Sequence, residues 1–342
     1  MSSAVLRTVV GLALAFAATV SAVPAAHAED GSRIVSARST GVQEESLVVY
    51  AASMKREVPL TVLLPKDTAK PRPVLYLLNG VGGGERVKTA DGTKGSSWGD
   101  YTTYRKFFRD KNVYVVTPMS GRFSYYTDWR EPDPQLGIQK WQTFLTEELP
   151  PLIDQHYGTA RRNAIAGLSM GGTSVFNLAI ANHRLYRSVA AFSGCARTSD
   201  PIGQQYVKLT INDNARNRRA EKMWGPVGGP GWLANDPYVQ APRLRGIKIY
   251  MTTGSGLPGE NDTLERQDVK NGGPHWLADQ ILSGGVIEAA VNLCTQQMAQ
   301  RLSSIGIPYR LTVRPTGTHA WSYWQQDLYN TWPALARDLA TS

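Results

Sequence analysis

The sequence predicts an α/β protein, with a mostly parallel central sheet covered by helices on both faces. Apolar runs recur along the 342 residues at 58–64, 73–78, 113–118, 163–168, 188–193, 247–252 and 309–313. Most are continuous rather than alternating, the pattern of strands buried on both faces. Helical patterns at 139–156, 173–182 and 286–305 separate them, and strand–helix repetition of this kind builds parallel sheets.

The elements follow in chain order. Arg7 precedes an apolar run over 9–23, and Ala26-His27-Ala28 then forms a small-x-small site. Residues 1–28 therefore read as a secretory signal peptide cleaved after Ala28. A polar N-terminal extension is expected over 29–45, followed by one domain over 46–342. No later run is long and apolar enough to span a bilayer. Two stretches interrupt the strand–helix rhythm: the Gly-rich 80–99 and the Gly/Pro-rich 225–231. Loops of that length in a compact domain often carry function.

Composition narrows the classes. Apolar residues make up 42% of the chain and charged residues 19%, enough core and too little charge for long disordered tracts. The net charge of +9 is scattered, with no basic run interleaved with aromatics, which argues against nucleic-acid binding. Cys195 and Cys294 are the two cysteines, and in an exported chain they are expected to pair. Neither has a second Cys or His at ligand spacing, so no metal is expected. An exported monomer needing no cofactor is the expectation.

The strongest local signal is Gly167-Leu168-Ser169-Met170-Gly171, a G-x-S-x-G pattern between a strand and a helix. A serine on such a turn is exposed beside the free amides and positive end of the following helix. That context points to an α/β-hydrolase fold with Ser169 as nucleophile. Serine needs a base, and the base an orienting acid. Of five histidines, His27 leaves with the leader and His156 precedes the serine. His183 reads as a helix cap and His275 as a loop residue. His319 follows the last strand, where the base of this fold belongs. Glu260, Asp262, Glu265, Asp268, Asp279 and Glu288 all lie between Ser169 and His319, and the loop after strand 247–252 favours Glu260 or Asp262. The oxyanion hole is expected from the amides of Met170 and Val81.

These residues, with several further blocks, resemble the antigen 85 mycolyltransferases and, more closely, their corynebacterial-type mycoloyltransferase relatives. The blocks are Tyr76-Leu77-Leu78-Asn79-Gly80, Tyr126-Thr127-Asp128-Trp129, the run from Lys140 to Pro150, the elbow itself, Met223-Trp224-Gly225-Pro226 with Asn235-Asp236-Pro237, and Gly317-Thr318-His319 with Trp321, Tyr323 and Trp324. The similarity runs from about Val58 to Asp338.

The resemblance implies transfer of a mycoloyl group from trehalose monomycolate to a second trehalose monomycolate, to arabinogalactan or to protein hydroxyls. A secreted carboxylesterase acting on lipid or acyl-sugar esters is the alternative, and a non-enzymatic envelope-binding protein a third reading. The resemblance also places the acid on a late helix, which moves the expectation to Glu288, with a Cys195–Cys294 bridge tying that helix to the sheet. Asn79, Trp98 and Trp321 are the expected substrate contacts, with Trp321, Tyr323 and Trp324 as sugar-stacking rings. Asn79 and Gly82 stand where the antigen 85 proteins carry an acidic residue and an arginine that help hold the sugar. The 82–99 insertion is longer than theirs.

Overall fold

The apolar runs fold as neighbouring strands of one sheet. The computed structural model describes residues 31–89, 92–266 and 273–340. The leader expected over 1–28, with its site after Ala28, lies outside the described residues, as does Asp268.

The nine-stranded sheet has the order β1-β2-β3-β7-β4-β8-β9-β10-β11. Its strands are β1 (Arg33–Gly41), β2 (Glu44–Ala51), β3 (Arg56–Leu63), β4 (Val74–Leu78), β7 (Tyr114–Pro118), β8 (Asn163–Leu168), β9 (Tyr186–Phe192), β10 (Lys248–Thr253) and β11 (Arg310–Val313). From β7 to β11 all pairings are parallel, while β1, β2 and β3 add antiparallel at one edge. A small hairpin, β5 (Val87–Thr89) with β6 (Gly92–Lys94), lies within the 82–99 insertion.

The central strands alternate between two cores. Leu75, Leu77, Val115, Ala164 and Ala166 pack on one face with Trp98, Phe108 and Leu328. Val74, Tyr76, Leu78, Val116 and Ile165 pack on the other with Leu149, Val175 and Phe176. Both pleat faces are dry, which is why these strands read as continuous apolar runs. Each large aliphatic side chain so buried contributes about 1.5–3 kcal/mol.

Several expectations change. The extension expected over 29–45 carries β1 and the start of β2. β1 is exposed along nearly its whole length, so it is held by backbone pairing and shows no apolar pattern; Arg33 and Arg38 suit a strand at the sheet edge. The helix expected over 139–156 is broken into Trp141–Thr143, a π-helical turn Phe144–Glu148, and helix α1 (Leu149–Tyr157). Pro150 and Pro151 have no amide to donate, and the wider turn before them accommodates the lost bonds. The elbow helix α2 spans Met170–Ala181, starting before the expected 173. Helix α3 (Pro201–Thr210) and the last helix, α5 (Trp321–Ala340), were not expected, the latter because Pro333 sits inside it.

The helix expected over 286–305 is α4, Gly273–Ser304, a single 32-residue helix. Gly284 and Gly285 disguise it in sequence, since glycine disfavours helix interiors. A Cβ on Gly285 would lie 2.7 Å from Gly256 O, and Gly284 O accepts the His319 amide at 3.1 Å. Gly285 thus lets the Gly256 backbone approach the helix beside Glu288.

Candidate active site

The elbow turns between β8 and α2. Ser169 caps α2 with φ 52° and ψ −121°, a conformation costly for any side-chain-bearing residue. The flanking glycines make the turn sterically possible. A Cβ on Gly167 would meet Gly171 backbone at 2.7 Å, and one on Gly171 would meet Asn79 O at 2.5 Å. The strain is held by the Ser169 amide donating to Phe192 O at 2.9 Å and by a helix that is almost wholly buried.

Ser169 Oγ lies 2.8 Å from His319 Nε2, and His319 Nδ1 lies 2.7 Å from Glu288 Oε2. Glu288 is fully buried. Its Oε1 accepts from Ser193 Oγ at 2.8 Å, Thr253 Oγ1 at 3.1 Å and the Gly254 amide at 2.6 Å. Arg314 adds a cation 3.5 Å from the same oxygen. Burial is the largest influence on this carboxyl and pushes its pKa up. The bond to His319, the charge there, the Gly254 amide and the Ser193 hydroxyl together outweigh it and hold the pKa below the ordinary value. A buried, ionised carboxylate on Nδ1 leaves Nε2 free to accept the Ser169 proton.

The other carboxylates do not reach His319. Glu260, favoured with Asp262 by position alone, accepts from Gln326 at the surface. Asp262 instead fixes the histidine loop: it accepts from Thr318 Oγ1 at 2.6 Å, Tyr323 OH at 2.7 Å, Gln280 Nε2 at 2.7 Å and the Gly259 amide at 2.8 Å. Asp279 bonds Ser283, and Glu265 lines a surface cavity with Gln325. Among the histidines, His156 packs edge-on to Tyr157, His183 meets Arg245 O, and His275 is exposed near the start of α4.

The loop after β4 lies against the elbow: a Cβ on Gly80 would come 3.5 Å from Ser169 Cβ. Met170, first residue of α2, has no acceptor for its amide within the helix. Val81 is part-exposed, and its carbonyl accepts from Phe123 N at 2.9 Å. The Met170 amide thus adjoins Ser169 in sequence, and the Val81 amide follows Gly80, whose loop packs on the elbow.

The expected substrate contacts change character. Asn79 is fully buried; its Nδ2 donates to Pro118 O at 2.8 Å and its Oδ1 accepts the Trp98 amide at 3.1 Å. Trp98 is also fully buried and donates Nε1 to Leu78 O at 3.0 Å. Both brace the oxyanion loop from within and present nothing to a ligand. Their polarity made them candidates, but burial uses that polarity internally. Trp321 stays part-exposed, stacked on Tyr101 at 5.2 Å. Tyr323 and Trp324 are buried, Trp324 edge-on to His319 at 4.8 Å.

Cys195 and Cys294 are bridged. Ser193, a donor to Glu288, lies just before Cys195, and Cys294 follows Glu288 by about two turns of α4. Tyr206 of α3 packs on this bridge. Burial raises its phenol well above the ordinary value, Tyr125 and Glu288 add to that, and the Ser169 hydroxyl partly offsets it. Sequence reading missed Tyr206 because its helix follows a Pro and carries exposed apolar residues.

A family model described as a putative esterase matches residues 51–335. The diacylglycerol acyltransferase/mycolyltransferase Ag85A of Mycobacterium leprae (strain TN) is 30% identical over 339 residues, covering 97% of this chain and 92% of that protein. Ag85B of Mycobacterium avium is 27% identical, covering 88% and 85%. Among solved structures, Mycobacterium tuberculosis MPT51 (FbpC1) superposes with a TM-score of 0.65 at 20% identity, over 87% of this chain and 100% of that one. An S-formylglutathione hydrolase from Agrobacterium tumefaciens gives 0.60 at 18% identity, over 90% and 100%. These structures share the α/β-hydrolase fold with this chain.

Proposed function

Since the chain belongs to the esterase family, with mycolyltransferases among its relatives, we propose that it is an exported serine mycoloyltransferase using trehalose monomycolate as donor. The observation that carries the reading is the unbroken chain from Ser169 Oγ through His319 to Glu288, at 2.8 and 2.7 Å.

In the proposed reaction Ser169 Oγ attacks the ester carbonyl while its proton passes to His319 Nε2. The tetrahedral oxyanion rests on the amides of Val81 and Met170. The carbonyl–sugar C–O bond then breaks, and His319 returns the proton to the departing trehalose oxygen. The resulting acyl-Ser169 ester is attacked by an acceptor hydroxyl, whose proton again goes to His319, and Ser169 recovers it as the product leaves. Glu288 stays ionised throughout and stabilises the imidazolium. Acceptors are a second trehalose monomycolate, arabinogalactan or a protein hydroxyl. The small-x-small site at Ala26–Ala28 supports export to the cell envelope.

One observation favours a second reading. Asn79 is neutral and spends its side chain on Pro118 and Trp98, so that position offers no charged group to a sugar. Hydrolysis of an acyl ester to free acid is the alternative. The full chain, expressed with its leader and purified, should convert trehalose monomycolate into dimycolate and free trehalose. If free acid were the only acyl product whatever acceptor is added, the esterase reading would replace the transferase one.

A further inference from the structure

A cavity of about 250 Å³ adjoins the oxyanion loop at the carboxyl edge of the sheet. It is lined by Arg56, Glu85, Arg122, Gln135 and Gln139, with Leu136 the one large apolar side chain. Its wall is tied to the reacting groups. Phe123, next to Arg122, donates to Val81 O at 2.9 Å. A Cβ on Gly83 would lie 2.3 Å from the Arg122 nitrogen. The Tyr125 amide sits 3.3 Å from Met170 Sδ. One short segment thus runs from the cavity past both proposed oxyanion donors.

The polar groups are organised rather than scattered. Glu85 Oε1 accepts from Ser120 Oγ and from the Gly121 and Arg122 amides at 3.2–3.3 Å. Its Oε2 lies 3.4 Å from Arg122 Nε. Arg56 donates NH1 to Leu136 O at 2.9 Å, and its Nε is buried with no partner. Gln135 accepts from Arg219 through Oε1 at 2.7 Å, which turns its other amide atom to donation.

We propose that this cavity holds the sugar half of the ester substrate, with the Glu85–Arg122 pair as its recognition element. A sugar hydroxyl both donates and accepts, so it needs a site with fixed acceptors and fixed donors together. Glu85 supplies the acceptor, and Arg122 and Gln135 supply donors; charge-assisted bonds of this kind are the stronger ones. An anion would meet the Glu85 carboxylate, and an apolar acyl chain would desolvate the part-exposed Glu85 and Arg122 charges without pairing them. The sugar subsite thus lies outside the oxyanion loop, whose own Asn79 is committed internally. This inference rests on the acyl-sugar reading of the donor.

The test compares kcat/KM for trehalose monomycolate with kcat/KM for p-nitrophenyl butyrate in wild type, Glu85→Gln and Arg122→Gln. The ratio of the two should fall about tenfold in each variant, as expected for losing a charged hydrogen-bond partner. Free trehalose should also inhibit butyrate hydrolysis competitively in wild type, and Arg122→Gln should relieve that inhibition. Gln135→Ala, at an exposed position, keeps the test open if either charge variant fails to fold; its ratio should fall several-fold. An unchanged ratio, or equal losses on both esters, would overturn the subsite. A wild type that processes butyrate but not the trehalose ester would instead sink the donor assignment, while the inhibition measurement still reads the cavity.

Discussion

Glu288 Oε2 lies 2.7 Å from His319 Nδ1 while Oε1 of the same carboxylate collects three hydrogen bonds from Ser193, Thr253 and Gly254. The carboxylate is thereby fixed in position and in charge, and Glu288→Gln tests both. The amide retains the shape but can present NH2 to Nδ1, inverting the tautomer. The rate on a short ester should fall about 10³–10⁴-fold while circular dichroism stays native. Near-normal turnover would move the role to another carboxylate.

The strained turn makes a prediction about stability. At φ 52°, Ser169→Ala keeps the strain and loses the nucleophile, so labelling by a fluorophosphonate should vanish with little change in Tm. Ser169→Gly removes both, and should be more stable than Ser169→Ala by about 1 kcal/mol. A glycine variant that melts below the alanine one would argue against strain at the elbow.

Acid should expose the ionised state of Glu288. Its folded pKa is held below the ordinary 4.5. The stability it contributes is therefore present above that pH and lost as pH falls through the folded value. Tm of the wild type should drop through this acid window, and Glu288→Gln should show a shallower fall. Parallel curves would mean that other carboxylates dominate acid unfolding.

Arg314 bonds Asp327 through both carboxylate oxygens and sits over the Tyr323 ring at 5.2 Å. Removing one partner of a buried pair costs about 3–5 kcal/mol because the other charge is stranded. Arg314→Gln should destabilise by that order, and adding Asp327→Asn should recover part of it. Strict additivity in denaturant melts would show that the pair is not coupled.

The bridge Cys195–Cys294 closes a sequence separation of 99 residues. Cross-linking a loop near that length restricts the unfolded chain by about 4.7 kcal/mol on the chain-entropy model. Mild reduction, or Cys195→Ala with Cys294→Ala, should lower Tm, and should also lower kcat as the Glu288 segment of α4 loosens from Ser193. Unchanged Tm and turnover would remove any role for the bridge in positioning the acid.

Much of the candidate site is legible in the sequence. Ser169 and His319 were readable because each belongs to a local pattern: glycines that permit a sharp strand-to-helix turn, and a loop following a strand. The central strands were readable because both of their faces are dry. Glu288 was different. Asp262 and Glu288 both precede His319, and position favoured the loop of Asp262; the carboxylate that meets His319 is that of Glu288, on the late helix to which the family likeness pointed.

Tertiary structure decided the rest. It set Asp262 on Thr318 and Glu288 on His319. It turned Asn79 and Trp98 inward, and it made an edge strand of the polar stretch Arg33–Gly41. By itself the sequence determined what is encoded by neighbours along the chain, namely the sheet, the elbow and the histidine proposed as base. Which carboxylate meets the base, and which polar residues remain free for a ligand, depends on contacts between residues distant in sequence. Burial and pairing set those contacts, and neither is written in local pattern.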